Sequence, residues 1–226
     1  MGFVMYRTRA VWYSGSMKRF FPLFVFVGVG IALAACTSVH LPEYDAGVGA
    51  TAEASRRVRI VQLSDFHSND FGRNEEKLLA KIRAASPDLI VLTGDIFDFE
   101  RKGAKPIVNV RALLSGIQGL APFYYVSGNH EYVAYHNDEY SYLIEEYGGT
   151  VLNDKACAVA LPQGTVILAG VSDPHADLDY AARKKNRDDK TAYRARLALV
   201  SQNAAELKAA TPEALCTLLL AHRPEY

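Results

Sequence analysis

Four short apolar runs in this chain each stop on a polar cluster mixing Asp, Asn and His. That recurrence restricts the fold more than any other feature. Val58–Leu63 runs into Ser64-Asp65-Phe66-His67, and Leu89–Leu92 into Thr93-Gly94-Asp95-Ile96-Phe97-Asp98. Phe123–Val126 runs into Ser127-Gly128-Asn129-His130-Glu131, and Leu215–Ala221 into His222-Arg223-Pro224. Short runs of this kind, rich in apolar and β-branched residues, read as buried strands. Stretches with helical spacing separate the first three. Asn74–Ala85 places Leu78, Leu79 and Ile82 on one side and is stopped by Pro87. Pro106–Ile117 and Asp138–Tyr147 follow the same rule. Alternating strands and helices define an α/β domain. In open sheets of that class, ligands bind beyond the carboxyl ends of the strands, so the polar clusters mark where chemistry is expected.

Beyond Gly148-Gly149 the pattern changes. Val151-Leu152, Cys157–Leu161 and Val166–Ala169 are separated by turn signals with no helix between them, which predicts hairpins of a second sheet. Asp173–Lys190 is polar and reads as a loop. Thr191–Ala210 carries Tyr193, Leu197, Val200, Ala204 and Leu207 at spacings of three and four, an amphipathic helix broken by Pro212. Cys157 and Cys216 sit inside apolar runs and read as packing residues.

Residues 17–36, MKRFFPLFVFVGVGIALAAC, have a different character. Lys18 and Arg19 precede an apolar stretch, Phe20–Leu33, that is short against the roughly 20 residues needed to span a bilayer. Small residues then lead to Cys36, the layout of a secretory signal. Leu33-Ala34-Ala35-Cys36 closely resembles the bacterial lipobox. The resemblance implies cleavage before Cys36, lipidation of its thiol, and anchoring to a membrane of the cell envelope. Met17 is the better-looking start, so residues 1–16 read as an upstream extension of a signal peptide ending at residue 35. Residues 36–57 form the lipidated Cys and an Ala-, Gly-, Ser- and Thr-rich tether, and residues 58–226 the folded domain. Lys plus Arg and Asp plus Glu both number 25. That balance gives no electrostatic reason to expect nucleic acid as a partner.

Taken singly, an Asp after a strand is ordinarily a turn or helix cap, and a lone His a surface residue. Together, carboxylates, imidazoles and an Asn carbonyl make the mixed nitrogen and oxygen environment that suits Mn, Fe, Zn or Co. Gly94 and Gly128, before Asp95 and Asn129, free the backbone to turn sharply. The order D-x-H, G-D-x-x-D, G-N-H-E and a later strand ending in His resembles the calcineurin-like metallophosphoesterases, from Val58 to the last residue. The His-x-Pro ending and the N-terminal signal further resemble the bacterial membrane-associated branch, which includes phosphodiesterases acting on lipid or envelope substrates. The resemblance implies a four-layer α/β/β/α sandwich of two mixed sheets with two divalent metal ions at the strand ends. Asp65 and His67 would bind the first metal, Asn129 and His222 the second, and Asp95 both. His130 would stand near the leaving group, its imidazole oriented by Asp98. A hydroxide held between the metals would attack phosphorus in line with the departing alcohol, and His130 would stabilise or protonate the leaving oxygen.

Other polar residues are less telling. Asp173 and His175 follow a strand, and either line the substrate cleft or belong to a turn. Arg223 has the planar fork that suits phosphate, or is simply solvated. Tyr132, Tyr135 and Tyr140 either wall the cleft or pack. The family's Gly-His-x-His motif, which completes both metal shells, lies downstream of the His-x-Pro strand, and this sequence stops before it. Either the sequence is a piece of a longer reading frame or the gene ends at Tyr226. With two imidazoles fewer, the 226-residue chain is expected to turn over slowly or not at all. The expected function is metal-dependent hydrolysis of a phosphomonoester or phosphodiester, possible substrates being lipid- or envelope-derived. The alternative is a non-catalytic or metal-binding surface lipoprotein that keeps the fold. Substrate, metal identity and oligomeric state stay open.

Overall fold

The computed structural model describes residues 9–11, 57–98, 106–133, 137–177 and 191–223. In chain order the elements are β1 (Arg9–Val11), β2 (Ile60–Leu63), α1 (Glu76–Ala85), β3 (Leu89–Thr93), α2 (Pro106–Ile117), β4 (Phe123–Val126) and α3 (Asn129–Val133). They continue with α4 (Asn137–Glu146), β5 (Thr150–Val151), β6 (Lys155–Leu161), β7 (Gly164–Gly170), α5 (Thr191–Ala210) and β8 (Cys216–Leu220).

β3 shows how the layers arise. All of its residues are buried, and alternate side chains leave opposite faces of a strand. Ile90 and Leu92 join one core, with Leu78, Leu79 and Ile82 of α1, Val110, Leu113, Leu114 and Ile117 of α2, and Ile144 of α4. Leu89 and Val91 point the other way, into a core shared with Val159, Val166, Leu168, Leu218 and Leu220 of the second sheet. β7 repeats the division. Its Val166 and Leu168 face the first sheet, whereas Ile167 and Ala169 pack on Val200 and Ala204 of α5. The result is helices, sheet, sheet, helix: the four-layer α/β sandwich. Each fully buried Leu, Ile or Val contributes about 1.5–3 kcal/mol.

The first sheet has the order β1-β2-β3-β4-β5, parallel throughout the described residues. The second has the order β6-β7-β8, with β6 antiparallel and β8 parallel to β7. Three features differ from the sequence reading. Val151 and Leu152 were expected in the second sheet. Instead β5 pairs with β4, and the Leu152 N–H donates to the Tyr125 carbonyl at 2.8 Å. Two residues carry too little pattern to choose a sheet. Asn129–Val133, given no element of its own in the sequence reading, winds into the short helix α3. Arg9–Val11, within the presumed upstream extension, pairs in parallel with Val61–Leu63 and covers that edge of β2. No helix among the described residues is long and apolar enough to cross a membrane. Cys36, the signal and tether segments around it, Tyr135, and the tail after Arg223 lie outside the described residues.

The architecture decides where the polar clusters go. β2, β3 and β4 run parallel, so their carboxyl ends share one edge of the sheet. β8 brings the fourth cluster to the same place from the second sheet: the Nδ1 of His222 lies 2.9 Å from the carbonyl of Thr93, the last residue of β3.

Candidate metal centre

The backbone at the strand ends takes conformations that ordinary residues avoid. Asp65, His67, Ser68 and Asp95 all have positive φ, between 47° and 55°. Asp and His tolerate this left-handed region better than most residues, and such strain collects at functional sites. Backbone hydrogen bonds hold it in place. The N–H groups of Asp65, His67 and Ser68 donate to the carbonyls of Gly94, Asp95 and Ile96 at 3.1, 2.9 and 3.0 Å. The loops after β2 and β3 are thereby laced side by side.

The two glycines serve different purposes. Gly94 has φ +84°, and a Cβ there would stand 2.7 Å from the backbone of Gly128 and 2.8 Å from Cβ of His222. It provides both the turn and the space where the two sheets meet. Gly128 has no positive φ. A Cβ on it would lie 2.3 Å from Oδ1 of Asp95, so it is a glycine for space alone.

Asp95 is the centre of the cluster. Its side chain is buried, and its Oδ1 accepts the His130 backbone N–H at 2.9 Å. That leaves Oδ2 facing three imidazoles. The Nε2 atoms of His222, His67 and His130 lie 3.3, 3.6 and 3.9 Å from it. Asp65 joins from the β2 end, with Oδ1 3.8 Å from Nε2 of His67 and Oδ2 accepting the Ser64 hydroxyl at 2.6 Å. The His67 and His130 rings meet edge to face with centroids 4.5 Å apart. Asn129 is half-buried at the first residue of α3. Asp98 stands behind His130, its Oδ1 3.6 Å from Nδ1, outside direct hydrogen-bond range. Tyr140 takes no part. It is buried and stacks on Phe97 with centroids 3.8 Å apart, as core.

The charges of these groups depend on one another. Burial acts to raise Asp95, but the hydrogen bond and charge of His222 outweigh it and hold the carboxyl below its ordinary range. Asp65 is likewise lowered, against burial, by His67 and Ser64. Burial acts to lower the imidazoles, yet Asp95 pushes His222 up to about 9, and Asp65 with Asp95 raises His67. Positive charge is therefore favoured at the centre of the cluster, which protons supply when no cation does.

The donors fit divalent metals. Oxygen and nitrogen ligand atoms of Asp65, Asp95 and His222 lie within 4.8 Å of one another, as do those of His67, Asp95 and His130. Both triples share Asp95, but they set Asp65 with His222 and His67 with His130, a different division from the Asp65–His67 and Asn129–His222 pairs that the sequence resemblance implies. Tautomers also fit. The Thr93 carbonyl only accepts, so Nδ1 of His222 carries a hydrogen, and Nε2, protonated toward Asp95 in the cation-free cluster, is the atom that would offer its electron pair to a cation in place of that proton. This arrangement of D-x-H, G-D-x-x-D and G-N-H-E on adjoining strand ends has a match among known sequences. The profile of the calcineurin-like phosphoesterase family covers residues 58–226. The chain belongs to the calcineurin-like phosphoesterases.

Individual relatives of this phosphoesterase domain agree. The uncharacterized metallophosphoesterase YkoQ of Bacillus subtilis is 30% identical over 125 residues, 53% of this chain and 45% of that protein. A transmembrane protein with metallophosphoesterase domain from Danio rerio is 26% identical over 130 residues, 54% of this chain and 28% of its own. The matched segment thus spans less than half the length of either relative. Phosphopantetheinyl hydrolase from Mycobacterium tuberculosis superposes with a TM-score of 0.41 at 16% identity, covering 76% of this chain and 70% of that one.

Asp173, His175 and Arg223 form a separate cluster beside the centre. The Arg223 fork donates to both carboxylate oxygens of Asp173, Nε to Oδ2 at 2.6 Å and Nη2 to Oδ1 at 2.5 Å. The Asp173 side chain is fully buried and also accepts the His175 backbone N–H at 2.9 Å. Arg223 is thus braced internally, where the sequence left open a phosphate contact or solvation. Sequence reasoning gave no role to Glu131. That side chain is completely buried and accepts backbone N–H groups from Asp95, Ile96, Phe97 and Gly128. Burial, and then the charge of Asp95, pushes its carboxyl upward against the pull of these donors. Its place in G-N-H-E, next to His130, was the one available signal.

Proposed function

We propose that this domain is a metal-dependent phosphoester hydrolase, acting on phosphodiesters or phosphomonoesters at the cell envelope. The observation that carries the reading is the single carboxylate oxygen, Asp95 Oδ2, with three imidazole nitrogens within 3.9 Å of it. Asp65 and His67 would hold one divalent cation, Asn129 and His222 a second, and Asp95 would serve both. Bound there, such cations lower the pKa of water and neutralise phosphoryl oxygens. Every other contribution belongs to the chain. Asp95 is oriented by the His130 N–H, and the Thr93 carbonyl fixes the His222 tautomer. His130, beside the cluster but with its ring partly open, is placed to hold a proton at Nε2 for the leaving oxygen. Asp98, facing Nδ1, would orient the ring. The envelope location rests on Leu33-Ala34-Ala35-Cys36, and it makes lipid- or wall-derived phosphoesters the substrates to try first.

Two measurements test the reading. The chain is expected to bind Mn2+ in calorimetric titration, and Asp95→Asn to abolish that binding. Hydrolysis of bis-p-nitrophenyl phosphate, however slow, is expected to require the metal and to vanish in the same variant. Binding lost in Asp95→Asn with no hydrolysis by either protein favours the metal-binding lipoprotein instead. Absence of binding by the wild-type chain overturns the reading.

A further inference from the structure

Glu131 is a carboxylate with no solvent exposure and no cationic side chain hydrogen-bonded to it among the described residues. Its acceptors are fully used by backbone. Oε1 takes the N–H groups of Ile96 at 2.7 Å and Phe97 at 3.2 Å. Oε2 takes those of Asp95 at 3.0 Å and Gly128 at 2.8 Å. Three of the four donors belong to the loop after β3, whereas Glu131 itself sits in α3, after β4. The connection also runs the other way, because Asp95 Oδ1 accepts the N–H of His130. Two loops therefore exchange carboxylates, each side chain seizing the other loop's backbone. Asp95 is held from both ends: its N–H by Glu131, its Oδ1 by His130. Only Oδ2 is left to face the imidazoles.

We propose that Glu131 is a positioning residue of the metal centre, setting the direction of Asp95 Oδ2 and the height of His130 by locking the two strand-end loops together. The inference rests on the reading of this cluster as a metal site. A carboxylate is required because all four groups it meets are donors. Glutamine, of the same shape, accepts with one oxygen but turns an NH2 toward two N–H groups, donor against donor. Its loss therefore moves backbone on both loops and with it the metal-facing atoms. Changes behind a ligand of this kind weaken metal affinity about 10–100-fold.

The test uses the full chain as wild type, Glu131→Gln and Glu131→Asp. Mn2+ is titrated calorimetrically near neutral pH, and metal-free melting fixes the folded fraction. Glu131→Gln is expected to bind Mn2+ at least about tenfold more weakly per folded molecule. Glu131→Asp, which keeps the charge and acceptors but withdraws them by one methylene, is expected to fall between. A brace that is merely structural would lower the melting temperature and leave the affinity of folded molecules unchanged, and that result in Glu131→Gln overturns the inference. If Glu131→Gln does not fold, wild-type affinity in Glu131→Asp overturns it, and weakened affinity supports it. A wild-type chain that binds no Mn2+ sinks this inference together with the proposed function. Binding that both variants leave intact sinks this inference alone.

Discussion

Replacing Gly128 by alanine tests whether the metal-facing geometry depends on the close approach of two backbones. The new Cβ would stand 2.3 Å from Asp95 Oδ1 and 2.5 Å from the Asp95 nitrogen. Carbon–oxygen contacts normally open at about 3.3 Å, so something must retreat by about 1 Å. Neither atom is free to do so cheaply. Oδ1 accepts the His130 N–H, and the Asp95 N–H is bound to Glu131. Overpacking of this kind costs about 1–3 kcal/mol. Gly128 lacks a positive φ, so alanine also stiffens the unfolded chain and returns about 0.4–1 kcal/mol. The net expectation is a loss of about 1–2 kcal/mol, or about 2–8 °C in melting temperature for a domain of this size. The functional effect is larger in proportion, because about 1 Å of misplacement costs about 100-fold in turnover. Urea unfolding and Mn2+-dependent hydrolysis, measured on the same preparation, check both numbers. Gly128→Ala that melts at or above wild type and binds and hydrolyses as well would refute the claim that this glycine is there for space.

Two further changes probe the surroundings. Glu75, buried in the turn that leads from His67 to α1, accepts the Phe71 N–H at 3.0 Å, and burial pushes its carboxyl up from 4.5 to about 7. The folded state then keeps a proton that the unfolded state has released, so stability falls as pH rises from about 4.5 through about 7, by up to about 3 kcal/mol. Glu75→Gln should match wild type near pH 4 and exceed it by up to that amount near pH 8 in urea titrations; a pH-independent difference would contradict the assignment. Arg223→Ala leaves the buried Asp173 carboxylate without its cation and should cost about 3–5 kcal/mol, with Asp173→Ala in the same chain recovering part of it in a double-mutant cycle. An unchanged melting temperature with a raised KM would instead make Arg223 a phosphate contact.

The parts of this molecule legible in the sequence are those that repeat a period or crowd rare residue types together. Leu78, Leu79 and Ile82 are buried on one side of α1 as their spacing predicts, and the parity of Leu89–Leu92 divides between two cores as a strand buried on both faces must. Asp65, His67, Asp95 and His130 converge because parallel strands align their carboxyl ends, a consequence of topology that holds without knowing any side-chain contact, and His222 joins them from β8 of the second sheet. What stayed hidden depends on particular partners. α3 spans five residues, too few to show a helical period, and β5 spans two. The Asp173–Arg223 pair joins residues 50 apart, a separation across which charge alone does not choose a partner. Glu131 was hidden for a more instructive reason. Its partners are backbone N–H groups, which every residue but proline carries, so no residue type in the sequence announces them. A search for it would have begun from the opposite side. The strand-end loops turn sharply, leave the ladders and are buried, so their N–H groups need acceptors. An acidic residue within the same motif, with no Lys or Arg close in sequence, is the economical way to supply four at once.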